Sequence, residues 1–333
     1  MKTRPGYIIL ASATAVVLFG VYLLISRFTI NKLQPHPYPS LDKQRAALLN
    51  KPAVIPIRLL DSAAIINDLK YLASDTCEGR KAGSAGHAKA VERIVLRMRE
   101  AGLDSFNKAL IQTFNGKVLN QTTAGKNVIG WIKGTLYPER YIVISAHYDH
   151  LGKKNNKIYY GASDNASGTA CILAMAKYFK QHPQPCSLIF AAFDREESGI
   201  EGSFNFVEHP PPPLNLSDIR LNLNVDMIAR NDNNEIFVCG IYHYPSFIYV
   251  VNEIQNKTNA KVLMGHDKGN IRNDWTDQSD HFAFYRKDIP FLYVGVEDHV
   301  DYHKPTDTFD KINFSSYIEN CNMIVQLTKI LKP

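Results

Sequence analysis

From residue 127 onward the chain alternates short apolar runs with stretches of helical period, and few architectures accept that pattern. The runs are NVIGWI (127–132), YIVISA (141–146), SLIFAAF (187–193), LNLNVDM (221–227), EIFVCG (235–240) and FLYVGV (291–296), and each reads as a strand. Helical patterns at 166–180, 246–258, 279–286 and 314–331 separate or follow them. Two more precede them at 61–74 and 86–102, the second with apolar residues three and four apart and a glycine at its end. The alternation predicts an α/β fold, a mixed and mainly parallel central sheet with helices on both faces, arranged as a three-layer sandwich. In such a sheet the ligand site lies beyond the carboxyl ends of the strands.

Bulk properties remove several function classes. Apolar residues make up 45% and charged residues 21% of 333, the profile of an ordinary globular enzyme. The net charge of +6 is scattered, with no block of like charge, so nucleic acid is not an expected partner. Five cysteines, at 77, 171, 186, 239 and 321, form no CxxC pair and do not look like metal ligands. Cys171 and Cys239 sit in apolar stretches and read as buried thiols; one disulfide elsewhere is compatible with an oxidising compartment.

The N-terminus reads as a membrane segment. Tyr7 to Ser26 carries no charge and is flanked by Arg4 and Arg27. Its length is that of a bilayer-spanning helix, about 20 residues at about 1.5 Å each, and exceeds the apolar core of a cleaved signal. The expected organisation is a short cytoplasmic N-terminus at 1–6, a transmembrane signal anchor at 7–27, a proline-rich linker at 28–59 and a folded domain at 60–333. The domain is then expected on the periplasmic, extracellular or lumenal side.

Each strongly polar cluster in the second half follows an apolar run. YIVISA leads into His147, Tyr148, Asp149 and His150; SLIFAAF into Asp194, Arg195, Glu196 and Glu197; LNLNV into Asp226; FLYVGV toward His299, Tyr302 and His303. A further cluster, GASDNASG at 161–168, sets Asp164 at the entry to a helix, whose dipole favours an anion. Taken singly these residues have bland readings: Asp164 or Asn165 can cap a helix, and Glu196 and Glu197 can be solvated loop charges. Converging on one sheet edge, they would concentrate negative charge that a divalent cation neutralises.

Zinc takes imidazole and carboxylate ligands when thiolates are absent, and two metals about 3.5–4 Å apart need a shared carboxylate plus two further ligands each. His147 and His303 can serve one metal each, Asp164 can bridge, Glu197 and Asp226 complete the count, and Glu196 is left to handle a proton. His150, His281, His299, Asp194, Asp277, Asp280 and Asp307 are nearby candidates for which a structural hydrogen bond is the plainer expectation.

Six segments in order, SAHYDHLG, GASDNASGTA, FDREESGIEGS, NVDMI, SDHFAF and DYHKPTDT, resemble the motifs of the zinc aminopeptidase family that includes bacterial leucyl aminopeptidases and aminopeptidase Y. The likeness covers residues 60–331. It implies a zinc-exopeptidase fold and two co-catalytic zinc ions, one held by His147, Asp164 and Asp226, the other by Asp164, Glu197 and His303. It also implies Glu196 as general base, Asp149 orienting a ligand histidine through a hydrogen bond, Tyr302 near the oxyanion, and Asp280 and His281 as motif residues. The expected reaction is hydrolysis of the N-terminal peptide bond by a water between the metals, with peptide or protein N-termini as substrates. Two departures concern the pocket: Ala229-Arg230 follows NVDMI where the family often has glycine, and residues 265–280 do not align. The rivals are a glutaminyl cyclase or a carboxypeptidase of the same fold, the latter using Arg230 or Arg272 for the substrate carboxylate, and a binding module that has lost catalysis.

Overall fold

The computed structural model describes residues 36–49, 51–118, 121–230, 233–268 and 273–332. Residues 38–333 form one compact unit. The expected transmembrane segment lies outside the described residues; among those described, no helix is long and apolar enough to cross a membrane.

Among the described residues the central sheet has eight strands, in the order β1-β2-β6-β3-β7-β10-β8-β9. In chain order these are β1 (Ile111–Val118), β2 (Gln121–Ile132), β3 (Tyr137–His147), β6 (Cys186–Phe193), β7 (Ile219–Val225), β8 (Glu235–Cys239), β9 (Lys261–Met264) and β10 (Phe291–Gly295), with β4 (Gly152–Lys154) and β5 (Lys157–Tyr159) forming a separate hairpin. The neighbours β6, β3, β7 and β10 are parallel throughout, so their carboxyl ends share one edge. Antiparallel pairings join β1 to β2, β2 to β6 and β8 to β10, and β9 runs parallel to β8.

Successive residues of a strand face opposite sides, and here both sides are apolar. Ile142, Ile144 and Ala146 of β3 pack with Leu188, Phe190, Leu221 and Leu223 under one helical layer. That layer is built from α2 (Ser62–Leu72), α3 (Ala85–Glu100), α4 (Gly168–Gln181), α6 (Ile248–Ile254) and α8 (Phe314–Ile330). Val143, Ile189, Ala191 and Phe193 point the other way, against α5 (Glu201–Glu208) and α7 (His281–Tyr285). The three layers expected from the sequence are therefore present. Capping explains several helix starts: Asp61 accepts from Ala63 and Ala64 N–H, Ser84 from His87 N–H, and Asn313 from Ser316 N–H. Gly168 opens α4 where a Cβ would lie 2.4 Å from the Val225 carbonyl, so the helix meets the end of β7 backbone to backbone.

The stretch expected as a linker, 28–59, has no regular structure at 51–59 but departs from that expectation nearer its start. Leu41–Leu49 is a helix, α1, whose Leu41 and Leu48 pack on Phe237 and Leu263. The Gln44 side chain pairs with the backbone of Met264 in both directions, at 2.9 and 2.8 Å, and Arg45 forms a two-pronged pair with Glu235 at 3.0 and 2.9 Å. The low amphipathicity of LDKQRAALL hid a helix that tertiary contacts hold in place. All five cysteines are buried and free, so no disulfide forms.

Candidate metal centre

Each strand of the parallel quartet delivers a polar group as it ends. β3 terminates on His147, β6 leads to Glu196 and Glu197, β7 to Asp226, and the segment after β10 to Tyr302 and His303. Arg195, Met227 and His303 adopt left-handed backbone conformations (φ 62, 55 and 53°), sharp turns that bring the chain back across the sheet edge. Asp164 arrives from the turn that feeds α4; its own N–H and that of Ser163 donate to the buried carboxylate of Asp307 at 3.0–3.2 Å.

The donors are close. His147 Nε2 lies 3.3 Å from both Asp164 Oδ1 and Asp226 Oδ1. His303 Nε2 lies 3.1 Å from Asp164 Oδ2 and 3.3 Å from Glu197 Oε2. His150 Nδ1 approaches Glu197 Oε1 at 2.6 Å and Asp164 Oδ2 at 3.7 Å. Among the described residues, two groups thus have ligand atoms within 4.8 Å of one another, His147–Asp164–Asp226 and His150–Asp164–Glu197, and both contain Asp164. The donor set is all imidazole nitrogen and carboxylate oxygen, as zinc accepts, so the residues fit the metal.

The electrostatics agree. Burial alone would lower the His147 pKa, but Asp226 and Glu196 outweigh it and hold the group well above its usual value. Hydrogen bonds to Asp164 and Glu197 lift the His303 imidazole to about 10. Asp164 stays well below the normal carboxylate range because His150, His147 and His303 overcome its desolvation. A carboxylate field strong enough to raise both imidazoles is one a dication would neutralise. Glu196 goes the other way: burial, with Asp226, Asp280 and Glu197 nearby, pushes its pKa well above the usual carboxylate range.

The remaining candidates divide. Asp149 is buried with its carboxylate 3.7 Å from His147 Nδ1, beyond a hydrogen bond; the ring nitrogen is nearer the Asp149 carbonyl, at 3.3 Å. The Asp149 carboxylate instead accepts from the Glu196 N–H at 3.0 Å and so fixes the loop bearing that acid. Tyr302 stacks on the His303 ring, 3.9 Å between centroids. Asp280 is fully buried and raised by desolvation to about 7, whereas His281 turns to the Trp275 carbonyl at 2.9 Å. Asp194 serves structure, accepting from Lys126 N–H at 2.8 Å and meeting His87 at 2.9 Å. His299 contacts Asp301 N–H, and Asp277 lines the open cleft.

One residue escaped the sequence reading altogether. Arg80, fully buried, donates to the carbonyls of Tyr148, Leu72, Tyr160, Gly161 and Asp164 at 2.7, 2.7, 2.7, 2.8 and 3.3 Å. It ties together the turn after β3, the end of α2 and the Asp164 turn. No local pattern marks it, because its partners are backbone atoms up to 84 residues away.

A cleft of about 640 Å³ opens over the donors, lined by Glu196, Met227, Trp275, Tyr293, Tyr302 and by Asp274, Asp277 and Asp298. Its described lining includes no lysine or arginine.

A three-layer α/β sheet thus gathers imidazoles and carboxylates at its carboxyl edge, a donor set suited to a divalent metal ion. The chain belongs to peptidase family M28, whose profile matches residues 127–328. Aminopeptidase YwaD of Bacillus subtilis is 28% identical over 203 residues, which are 58% of this chain and 41% of that protein, so the chain spans less than half of that relative's length. Among solved structures, a zinc aminopeptidase from Bacillus subtilis, BSAP, superposes with a TM-score of 0.63 at 18% identity, covering 82% of this chain and 97% of that one. A glutaminyl cyclase of Bacteroides thetaiotaomicron superposes with a TM-score of 0.66 at 16% identity, covering 82% and 99%. These two share the fold.

Proposed function

We propose that the protein is a zinc aminopeptidase with two co-catalytic ions that releases the N-terminal residue of peptides. The observation that carries this reading is the cleft over the donors, acidic at Asp274, Asp277 and Asp298 and without a lysine or arginine in its described lining. A free ammonium is welcome there; a terminal carboxylate is not. Arg230, a cation that a carboxypeptidase could use, is committed to Asp301 at 3.0 Å and does not line the cleft, and Arg272 lies outside the described residues. A cyclase working with one zinc would not need the full set that includes both His147–Asp226 and Glu197–His303.

His147, Asp164 and Asp226 would hold one ion, and Asp164, Glu197 and His303 the other, with His150 against Glu197. When bound, zinc supplies Lewis acidity that polarises the scissile carbonyl and acidifies water. Glu196 accepts the proton of the attacking water and returns it to the leaving amine. The Tyr302 hydroxyl, beside His303, donates toward the developing oxyanion. Asp149 keeps the Glu196 loop in place through its backbone bond. The apolar segment at 7–27 tethers the domain to a membrane.

A panel of amino-acid nitroanilides, run with and without a chelator, tests the activity. Lysyl and arginyl substrates should exceed the glutamyl one by about ten-fold or more, because like charges placed together cost several kcal/mol. Equal rates would remove the acidic lining from specificity, and no turnover would remove the aminopeptidase. Asp164→Ala should lose bound zinc as well as rate, since one carboxylate serves both donor groups. A full zinc complement in that variant, measured by elemental analysis, would contradict a bridging role.

A further inference from the structure

A second cavity, of about 550 Å³, adjoins the donor cluster and shares with the acidic cleft only Glu197 and His303. Its exposed charge is of opposite sign: Lys81, Lys153 and Lys154 line it with His150 and Tyr159, while its two acids, Asp149 and Glu197, are engaged with the Glu196 N–H and with His150. None of the three ammonium groups has an ion-pair partner among the described residues. His150 is 1% exposed; it turns Nδ1 to Glu197 and leaves the buried Nε2 without a partner among the described residues.

The lysines stand on a firm base. Lys153 and Lys154 belong to the β4–β5 hairpin, which turns through Asn155 and Asn156 at φ 53 and 58°, the tight turn whose twist matches the strands. The hairpin is docked by the Gly152 N–H on the Gly79 carbonyl at 2.9 Å. Gly79, at φ 72°, leaves no room for a side chain, since a Cβ would lie 2.2 Å from the Tyr159 carbonyl. The same loop carries Arg80 and Lys81, so the cationic wall is built onto the clamp beneath the metal donors.

We infer that this cavity is the leaving-side subsite and that it selects a carboxylate there. The inference rests on the aminopeptidase reading: with the substrate ammonium in the acidic cleft and the scissile carbonyl at the donors, the departing residue crosses Glu197 and His303 into the lysine-lined space. An extended residue spans at most about 3.6 Å, so a dipeptide reaches both charged regions only if they meet at one point, as these do. The carboxylate is either the C-terminus of a dipeptide or the side chain of a second-position Asp or Glu.

The test compares kcat/KM of the full, zinc-loaded protein on Leu-Gly, Leu-Gly-amide, Leu-Glu-amide and N-acetyl-Leu-Gly. Leu-Gly, Leu-Glu-amide or both should exceed Leu-Gly-amide by about ten-fold or more, the size expected of a charge-assisted hydrogen bond, and the excess should shrink with salt. Preference for Leu-Gly alone identifies a terminal carboxylate, and preference for Leu-Glu-amide alone a side chain. Combining Lys81→Ala, Lys153→Ala and Lys154→Ala, all at exposed positions, should bring the ratio near unity. An unchanged ratio in that variant, or equal wild-type rates on the three free-amine peptides, overturns the subsite and leaves the aminopeptidase standing. No hydrolysis of any free-amine peptide, or equal hydrolysis of N-acetyl-Leu-Gly and Leu-Gly, overturns the aminopeptidase reading and the subsite with it.

Discussion

Replacing Glu196 by Gln should leave the zinc content of the protein unchanged and lower kcat by about a thousand-fold, within the range that general acid–base catalysis contributes. The substitution keeps size and backbone conformation, and the N–H that anchors this residue to Asp149 is untouched. Neither group of clustered donors includes Glu196, so metal affinity does not depend on it. What is lost is a carboxylate placed where burial and neighbouring acids raise its affinity for a proton. Single-turnover rates with elemental analysis on the same sample separate the two effects. Turnover near the wild-type rate would remove Glu196 from proton transfer, and zinc loss would make it a ligand.

Arg80→Met should be among the most destabilising single substitutions in the domain. The guanidinium donates to the carbonyls of Leu72, Tyr160 and Asp164, and methionine replaces its stem without any donor. Leaving several buried carbonyls unpaired costs about 4 kcal/mol even if water reaches some of them, equivalent to roughly 10 °C in Tm for a domain of this size. The effect should reach the metal centre, because the clamp sets the relative positions of the turn carrying His150 and the turn carrying Asp164. Zinc affinity should therefore fall although no donor has been altered. Arg80→Lys should recover only part of the loss, since an ammonium cannot fan out to carbonyls on several sides. Thermal melts with and without zinc decide the matter: a Tm within about one degree of wild type would mean that the carbonyls find other partners.

Much of this was legible in the sequence because strand ends announce themselves. An apolar run followed by acid or histidine, as in YIVISAHYDH or LNLNVDM, signals both a strand and the edge at which it stops. That pattern brought out His147, Glu196, Glu197, Asp226 and His303, which the fold gathers around Asp164. Strands without strong apolar character were less visible. IQTFNGKV is polar at alternate positions and pairs only along one side, and KVLM is too brief to stand out, yet both complete the sheet as β1 and β9. His150 was noticed only as one candidate among several, because proximity to Glu197 depends on a turn whose course Arg80 dictates. The resemblance implies that the Asp149 carboxylate steadies the His147 ring, whereas it bonds the backbone of the loop bearing Glu196. The sequence marked which residues would meet, while the direction each points was decided by backbone contacts with no local signature.

The amide of Gln44 lies along β9, occupying an NH and a CO that an outermost strand would otherwise present to any passing chain. A fragment trimmed to residue 60 would uncover that ribbon and invite intermolecular sheet growth, so a recombinant fragment of the folded domain should begin ahead of Tyr38, whose hydroxyl is also seated on Asp267.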